Sequence, residues 1–146
     1  MTLALAAPLL LRRQGFVAGR RCDADSGETF EVRNPSTGSL IGDVPLMGAV
    51  EARRAIAAAE AAWPAWRSRT PKERGALLLR WRDLLLAHQE DLARLMTAEQ
   101  GKPLAEARGE VAYGAAFFEW FAEEAKRVYG ETIPSAQADR RLLVTR

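Results

Sequence analysis

Two residue types often recruited for chemistry occur once each in the chain, Cys22 and His88. Cys22 stands in Arg21-Cys22-Asp23-Ala24-Asp25, where Arg20 and Arg21 favour a thiolate and the aspartates oppose it. No base lies in sequence reach, so it reads as a loop cysteine rather than a nucleophile. His88 falls between two helical patterns and reads as a helix-end or capping residue, because no catalytic partner can be named for it. A single cysteine excludes an internal disulfide, and with a single histidine it excludes a Cys/His metal cluster. Neither a G-x-G-x-x-G loop, nor a P-loop, nor a G-x-S-x-G turn occurs. The aromatic cluster Phe117, Phe118, Trp120 and Phe121 reads first as core. Glu123 and Glu124, just before Lys126 and Arg127, read as surface pairs. No complete active site emerges from residue types and spacing.

The elements that would position these residues divide the chain into a β region and a helical region. Glycine-punctuated apolar residues in Gln14-Gly15-Phe16-Val17-Ala18-Gly19-Arg20 suit a tight turn. Glu28 to Val32 alternates with period two and runs into the turn Asn34-Pro35-Ser36-Thr37-Gly38, and Ser39 to Val44 gives a second strand. A small antiparallel sheet over about 14–45 is the economical reading. Helical periodicity then covers about 48–128. Ala49 to Ala62 is a strong helix former expected to stop at Pro64. Thr70-Pro71-Lys72-Glu73 combines an N-cap, a first-turn proline and a glutamate three residues after the cap. Leu77, Leu78, Trp81, Leu84 and Leu85 follow at the spacing of a buried stripe. After a break near His88, Leu92, Leu95 and Met96 continue the pattern to Gly101. Pro103 opens a long helix to about Arg127 that is apolar nearly all round, with Gly130 as terminator. A last strand, about 140–146, has no partner visible in the sequence.

Composition narrows the function classes. The chain is 48% hydrophobic and 27% charged, which argues against wholesale disorder. Twenty-one basic against nineteen acidic residues is too even to imply a nucleic acid or an anionic membrane. The Arg-rich stretch from Trp66 to Arg82 is interrupted by apolar residues and reads as a solvated face. Met1 to Leu11 is apolar but precedes Arg12 and Arg13, the reverse of a secretory signal, so a cytoplasmic location is expected. No run reaches the ~18–20 apolar residues of a membrane span.

Taken in order, several motifs resemble the N-terminal part of an aldehyde dehydrogenase. They are Asn34-Pro35-Ser36-Thr37-Gly38, Glu73-Arg74 at a helix start, Glu99-Gln100-Gly101-Lys102-Pro103 with Glu106-Ala107, and Gly130-Glu131-Thr132-Ile133-Pro134. His88 to Thr97 and Glu119-Trp120-Phe121-Ala122-Glu123-Glu124 are similar to bacterial succinate-semialdehyde dehydrogenases. The likeness covers about residues 10 to 146. Arg21 departs from it, standing where the family's first hairpin usually carries an aromatic residue.

The resemblance implies an incomplete α/β aldehyde dehydrogenase-like fold: a small antiparallel β region, three or four helices and a terminal strand. It implies an enzyme that oxidises a small aldehyde with NAD or NADP through a cysteine-bound thiohemiacetal, with a glutamate base and an oxyanion site. All of those residues, and the nucleotide site, are expected beyond this region, so the chain alone is expected to be inactive and to hold no cofactor. Cys22 matches the first hairpin and not the nucleophile. The long helix would form one wall of the substrate tunnel, with Tyr113 and Phe117 facing it; plain core packing is the alternative for Tyr113. Glu99 falls where some relatives place a carboxylate near a monovalent cation. The terminal strand would enter the segment that joins subunits, which implies a homo-oligomer or self-association. A stand-alone helical binding module and a subunit acting in trans are the rival readings.

Overall fold

The computed structural model describes residues 3–145, so Met1, Thr2 and Arg146, parts of the expected apolar start and terminal strand, lie outside it. The strands form three separate two-stranded antiparallel ribbons, and three of the helices pack on one another. Strands β1 (Gly15–Val17) and β2 (Arg20–Cys22) form the first ribbon. Its two-residue turn is made by Ala18 at φ 50° and Gly19 at φ 76°, left-handed values that glycine tolerates and alanine adopts at some cost. Arg21 pairs across this ribbon with Phe16, and its guanidinium lies 5.1 Å from the ring centroid. This sets a cation against an aromatic face across the ribbon.

The second ribbon joins β3 (Thr29–Arg33) to β4 (Leu40–Pro45), with a bulge at Val32/Arg33. Its turn is tied by the Asn34 side-chain oxygen, which accepts the N–H groups of Ser36 and Thr37. The third ribbon pairs β5 (Glu131–Pro134) with β6 (Arg141–Val144). The terminal strand therefore has a partner, the Gly130 to Pro134 motif, and the expectation of an unpaired strand is corrected. The short turn between them makes the pairing local.

Helix α1 (Ala49–Arg67) runs through Pro64 rather than stopping there. The proline stands within the last turn on an exposed stretch, where water can serve the carbonyl it leaves without a donor, and the Ser68 N–H still reaches the Pro64 carbonyl. Helix α2 (Pro71–Ala87) starts with the expected capping box: the Glu73 N–H donates to Thr70 Oγ1, and the Thr70 N–H donates to the Glu73 carboxylate at 2.8 Å. His88 separates α2 from α3 (Gln89–Gln100), and its side chain makes no capping hydrogen bond. Gly101, at φ 75°, ends α3 in the left-handed cap that favours glycine. Helix α4 (Leu104–Glu124) continues into a 3-10 turn, Ala125–Arg127.

Packing follows side-chain size in an unusual way. Helix α4 lies on α2 and α3 through Ala107, Val111, Ala115 and Ala122, while Gly75 brings the α2 backbone against Ala122. The leucine stripe expected to be buried is out of phase. Leu77, Trp81 and Leu84 are exposed, and Gly75, Leu78, Arg82 and Leu85 face inward to different degrees. Among the described residues no large side chain is fully buried. A folded monomer of 16.1 kDa exposes about 7,400 Å² on the usual scaling; this chain exposes 10986 Å². It hides about 53% of its extended-chain surface where a domain of this size hides roughly 68–70%.

Candidate functional site

Helix α4 carries the main candidate surface. Its inward face is fixed by the small residues at 107, 111, 115 and 122, so positions 113, 117 and 121 must point away from α2 and α3. Tyr113 is 67% exposed, Phe117 45% and Phe121 56%. The cluster read as core is therefore largely an outer surface, and core packing within this chain is excluded for Tyr113. The three rings form one row. Tyr113 and Phe117 meet edge to face at 4.9 Å, and Phe117 and Phe121 stack at 6.5 Å. Trp81 of α2 meets Phe118 at 4.7 Å, locking the two helices beside the row. The adjoining rings form an apolar wall with one phenol hydroxyl. Such a wall can hold a short methylene chain and exclude water; it offers no carboxylate, imidazole or thiol to move a proton.

The other residues singled out in the sequence do not join this wall. Cys22 ends β2 half-buried, and nearby Asp23 accepts the Gln14 side-chain amide. His88 sits half-buried at the α2–α3 junction. Glu99 is exposed in the last turn of α3, and no group of three or more His, Cys, Asp or Glu residues placed to hold a metal exists among the described residues. Glu123 and Glu124 pair with Lys126 and Arg127, as their spacing suggests.

Helix N-termini are the usual seats for a pyrophosphate. Here each first turn carries a carboxylate of the chain itself: Glu51 in α1, Glu73 in α2, Glu90 and Asp91 in α3, Glu106 in α4. Glu51 and Glu73 use theirs to accept backbone N–H groups, and those bonds hold both carboxyls below the ordinary carboxylate range. These four termini do not fit a dinucleotide phosphate.

Three connections escaped sequence reading because each links distant residues. The buried Glu51 accepts the Asp25 N–H at 2.9 Å and the Gly48 N–H at 2.9 Å, fastening α1 to the segment after β2. Asp91, also buried, accepts N–H groups from Ala6 and Ala7. A Cβ added to Gly101 would meet Pro35 Cγ at 3.0 Å, so the Asn34 to Gly38 turn packs on the α3 cap. Two motifs that carried the family resemblance are thus one contact in space.

Comparisons with known proteins bear on this arrangement. The model of a family described as the aldehyde dehydrogenase family matches residues 22–146. Glutarate-semialdehyde dehydrogenase of Pseudomonas putida is 62% identical over 135 residues, 92% of this chain and 28% of that protein. The NADP(+) succinate-semialdehyde dehydrogenase of Escherichia coli is 58% identical over 92% of this chain and 28% of its own length. Among solved structures, succinate-semialdehyde dehydrogenase from Burkholderia pseudomallei superposes with a TM-score of 0.92 at 55% identity, covering 96% of this chain and 29% of that one. The chain therefore spans under a third of the length of these relatives.

Proposed function

The chain belongs to the aldehyde dehydrogenase family, and on that premise we propose that it is the N-terminal part of an NAD(P)-dependent semialdehyde dehydrogenase, oxidising succinate semialdehyde to succinate in the complete enzyme. The observation that carries the reading is the identity, near 60%, to enzymes named for semialdehydes of four and five carbons. The ring row on α4 supports it, because those substrates differ only in the methylene chain that an apolar wall would contact. In this reading Tyr113 and Phe117 line the substrate tunnel. The thiol, the general base, the oxyanion donors and the nucleotide site come from outside the chain, and Glu99 stands near a monovalent cation completed by other groups. Bound there, NAD or NADP would accept the hydride. The whole enzyme is a cytoplasmic homo-oligomer, and the 146-residue chain by itself is inactive.

The test is a chimera. Residues 12–146 replace the matching segment of the Escherichia coli succinate-semialdehyde dehydrogenase, and NAD(P)H formation is followed at saturating succinate semialdehyde and glutarate semialdehyde. An active chimera of native oligomeric state is the expected result. A folded, nucleotide-binding chimera that oxidises neither semialdehyde overturns the assignment, and aldehyde oxidation by the purified chain alone overturns its inactivity. A stand-alone binding module is the second reading, favoured only by the exposed ring row; it requires a soluble monomer with one cooperative unfolding transition.

A further inference from the structure

Residues 3–11 cross the start of α3 before the chain enters β1. Asp91 is 6% exposed, and its carboxylate uses both oxygens on this segment: Oδ1 accepts the Ala6 N–H at 3.0 Å and Oδ2 the Ala7 N–H at 2.7 Å. Arg94 lies nearly one turn further along α3, and its Nη1 donates to the Ala4 carbonyl at 3.3 Å. One helix thus grips the backbone of residues 4, 6 and 7 with two side chains of opposite charge. The far end of the segment is held elsewhere. Arg13 Nη2 donates to the Ile41 carbonyl of β4 at 3.4 Å, and its guanidinium lies over Gly42, where an added Cβ would meet Nε at 2.7 Å. Between the two ends, Leu5, Pro8 and Leu11 share a cleft with Leu40 and Ile41 of the ribbon and Ala98 of α3.

We infer that residues 3–13 are a latch: Asp91 fastens them to α3, Arg13 fastens them to β4, and the β3–β4 ribbon is clamped to the helical layer through them. The ribbon needs such a device. Its large side chains Phe30 and Leu40 are exposed, and the contact of Pro35 with Gly101 holds only its turn. Asp91 is suited to be the fulcrum. A carboxylate accepting two N–H groups makes stronger bonds than a neutral acceptor, and losing both donors at once strands a buried charge. Release is therefore concerted, with Ala6 and Ala7 leaving together, and it frees the ribbon end while leaving the α2–α4 seam untouched. This inference does not depend on the catalytic assignment.

Amide hydrogen exchange of the full chain, read residue by residue by NMR, tests it. The wild type should protect the amides of Ala6 and Ala7. Asp91→Ala should speed both on the order of tenfold or more and speed the β3–β4 amides with them, leaving α2 and α4 as they were. Arg13→Ala keeps the buried carboxylate satisfied, which guards against a general loss of fold in the first variant. It should speed the β4 amides while Ala6 and Ala7 stay protected. Unprotected Ala6 and Ala7 amides in the wild type overturn the latch, and so does Arg13→Ala exchange in β4 indistinguishable from wild type.

Discussion

Gly75→Ala adds one methyl group at the point where α2 crosses α4. The new Cβ would lie 3.0 Å from the Ala122 carbonyl oxygen and 3.7 Å from its carbon. Ala122 is fully buried, and a backbone carbonyl within a helix cannot rotate away, so the helices must part by a few tenths of an ångström. The seam is made of small side chains with few atoms each, and a rigid shift loses contact along all of it. Overpacking of this kind costs about 1–3 kcal/mol. Against it stands the gain from replacing glycine inside a helix, about 1 kcal/mol. The expected net effect is a loss of roughly 0–2 kcal/mol. Gly109 on α4 supplies the control, because a Cβ there meets nothing within 4 Å and the propensity gain is unopposed. Thermal unfolding by circular dichroism should separate the two variants by roughly 3–10 °C, Gly109→Ala the higher, and urea midpoints should agree in order. A Gly75→Ala protein stabilised as much as Gly109→Ala would refute the idea that a close backbone approach at Gly75 sets the α2–α4 seam.

Other consequences can be checked directly. Thr70→Ala removes the N-cap acceptor of α2 and should cost about 1 kcal/mol by denaturant titration. Hydrogen bonds from Arg108 and then Arg94 hold the Glu90 carboxyl at about 2. That folded value lies below the ~4.3 of an unconstrained glutamate, so the stability it contributes is complete above ~4.3 and is lost as pH falls from there toward 2. Carboxyl NMR titration should find the low midpoint, and Arg108→Ala should raise it. The exposed ring row predicts fluorescent-dye binding by the isolated chain and concentration-dependent sedimentation; a dye-silent monomer would contradict it. Tyr113→Ala and Phe117→Ala remove one and two ring contacts and should each lower the isolated chain's stability by about 0.5–1.5 kcal/mol. In the chimera the same changes should shift the preference between the four- and five-carbon semialdehydes by about tenfold or more.

Much of the local chemistry was readable from the sequence, although α1 runs past Pro64 and the terminal strand pairs with its near neighbour β5. The Thr70 box, the break at His88, the Gly101 cap and the Glu123–Lys126 pair each depend on residues within four positions, and all appear in the structure. Phase was not readable. Leu77, Leu78 and Leu79 followed by Leu84, Leu85 and Leu86 supply apolar residues on adjoining faces, so counting periods cannot choose the buried one. Glycine chose it, by letting a backbone approach at position 75. The same ambiguity made α4 look buried all round, when its alanines pack inward and its rings face out. Contacts such as Asp91 with Ala6 join residues 85 apart and leave no periodic trace. The candidate wall was legible only through family likeness, because an exposed ring and a core ring are written with the same letter.

The inward alanines and outward rings of α4 also bear on synthesis. In the proposed enzyme this region leaves the ribosome first, and the several hundred residues that complete the relatives' length need roughly 20–70 s more at 5–20 residues per second. Seams of small residues can close α2, α3 and α4 on one another during that wait, but nothing made so far can cover Tyr113, Phe117 and Phe121. For tens of seconds the nascent chain would carry a finished helical scaffold with a bare aromatic flank, the kind of surface that general chaperones bind. Its yield in a cell should therefore depend on translation speed and chaperone supply more than on the scaffold's own stability.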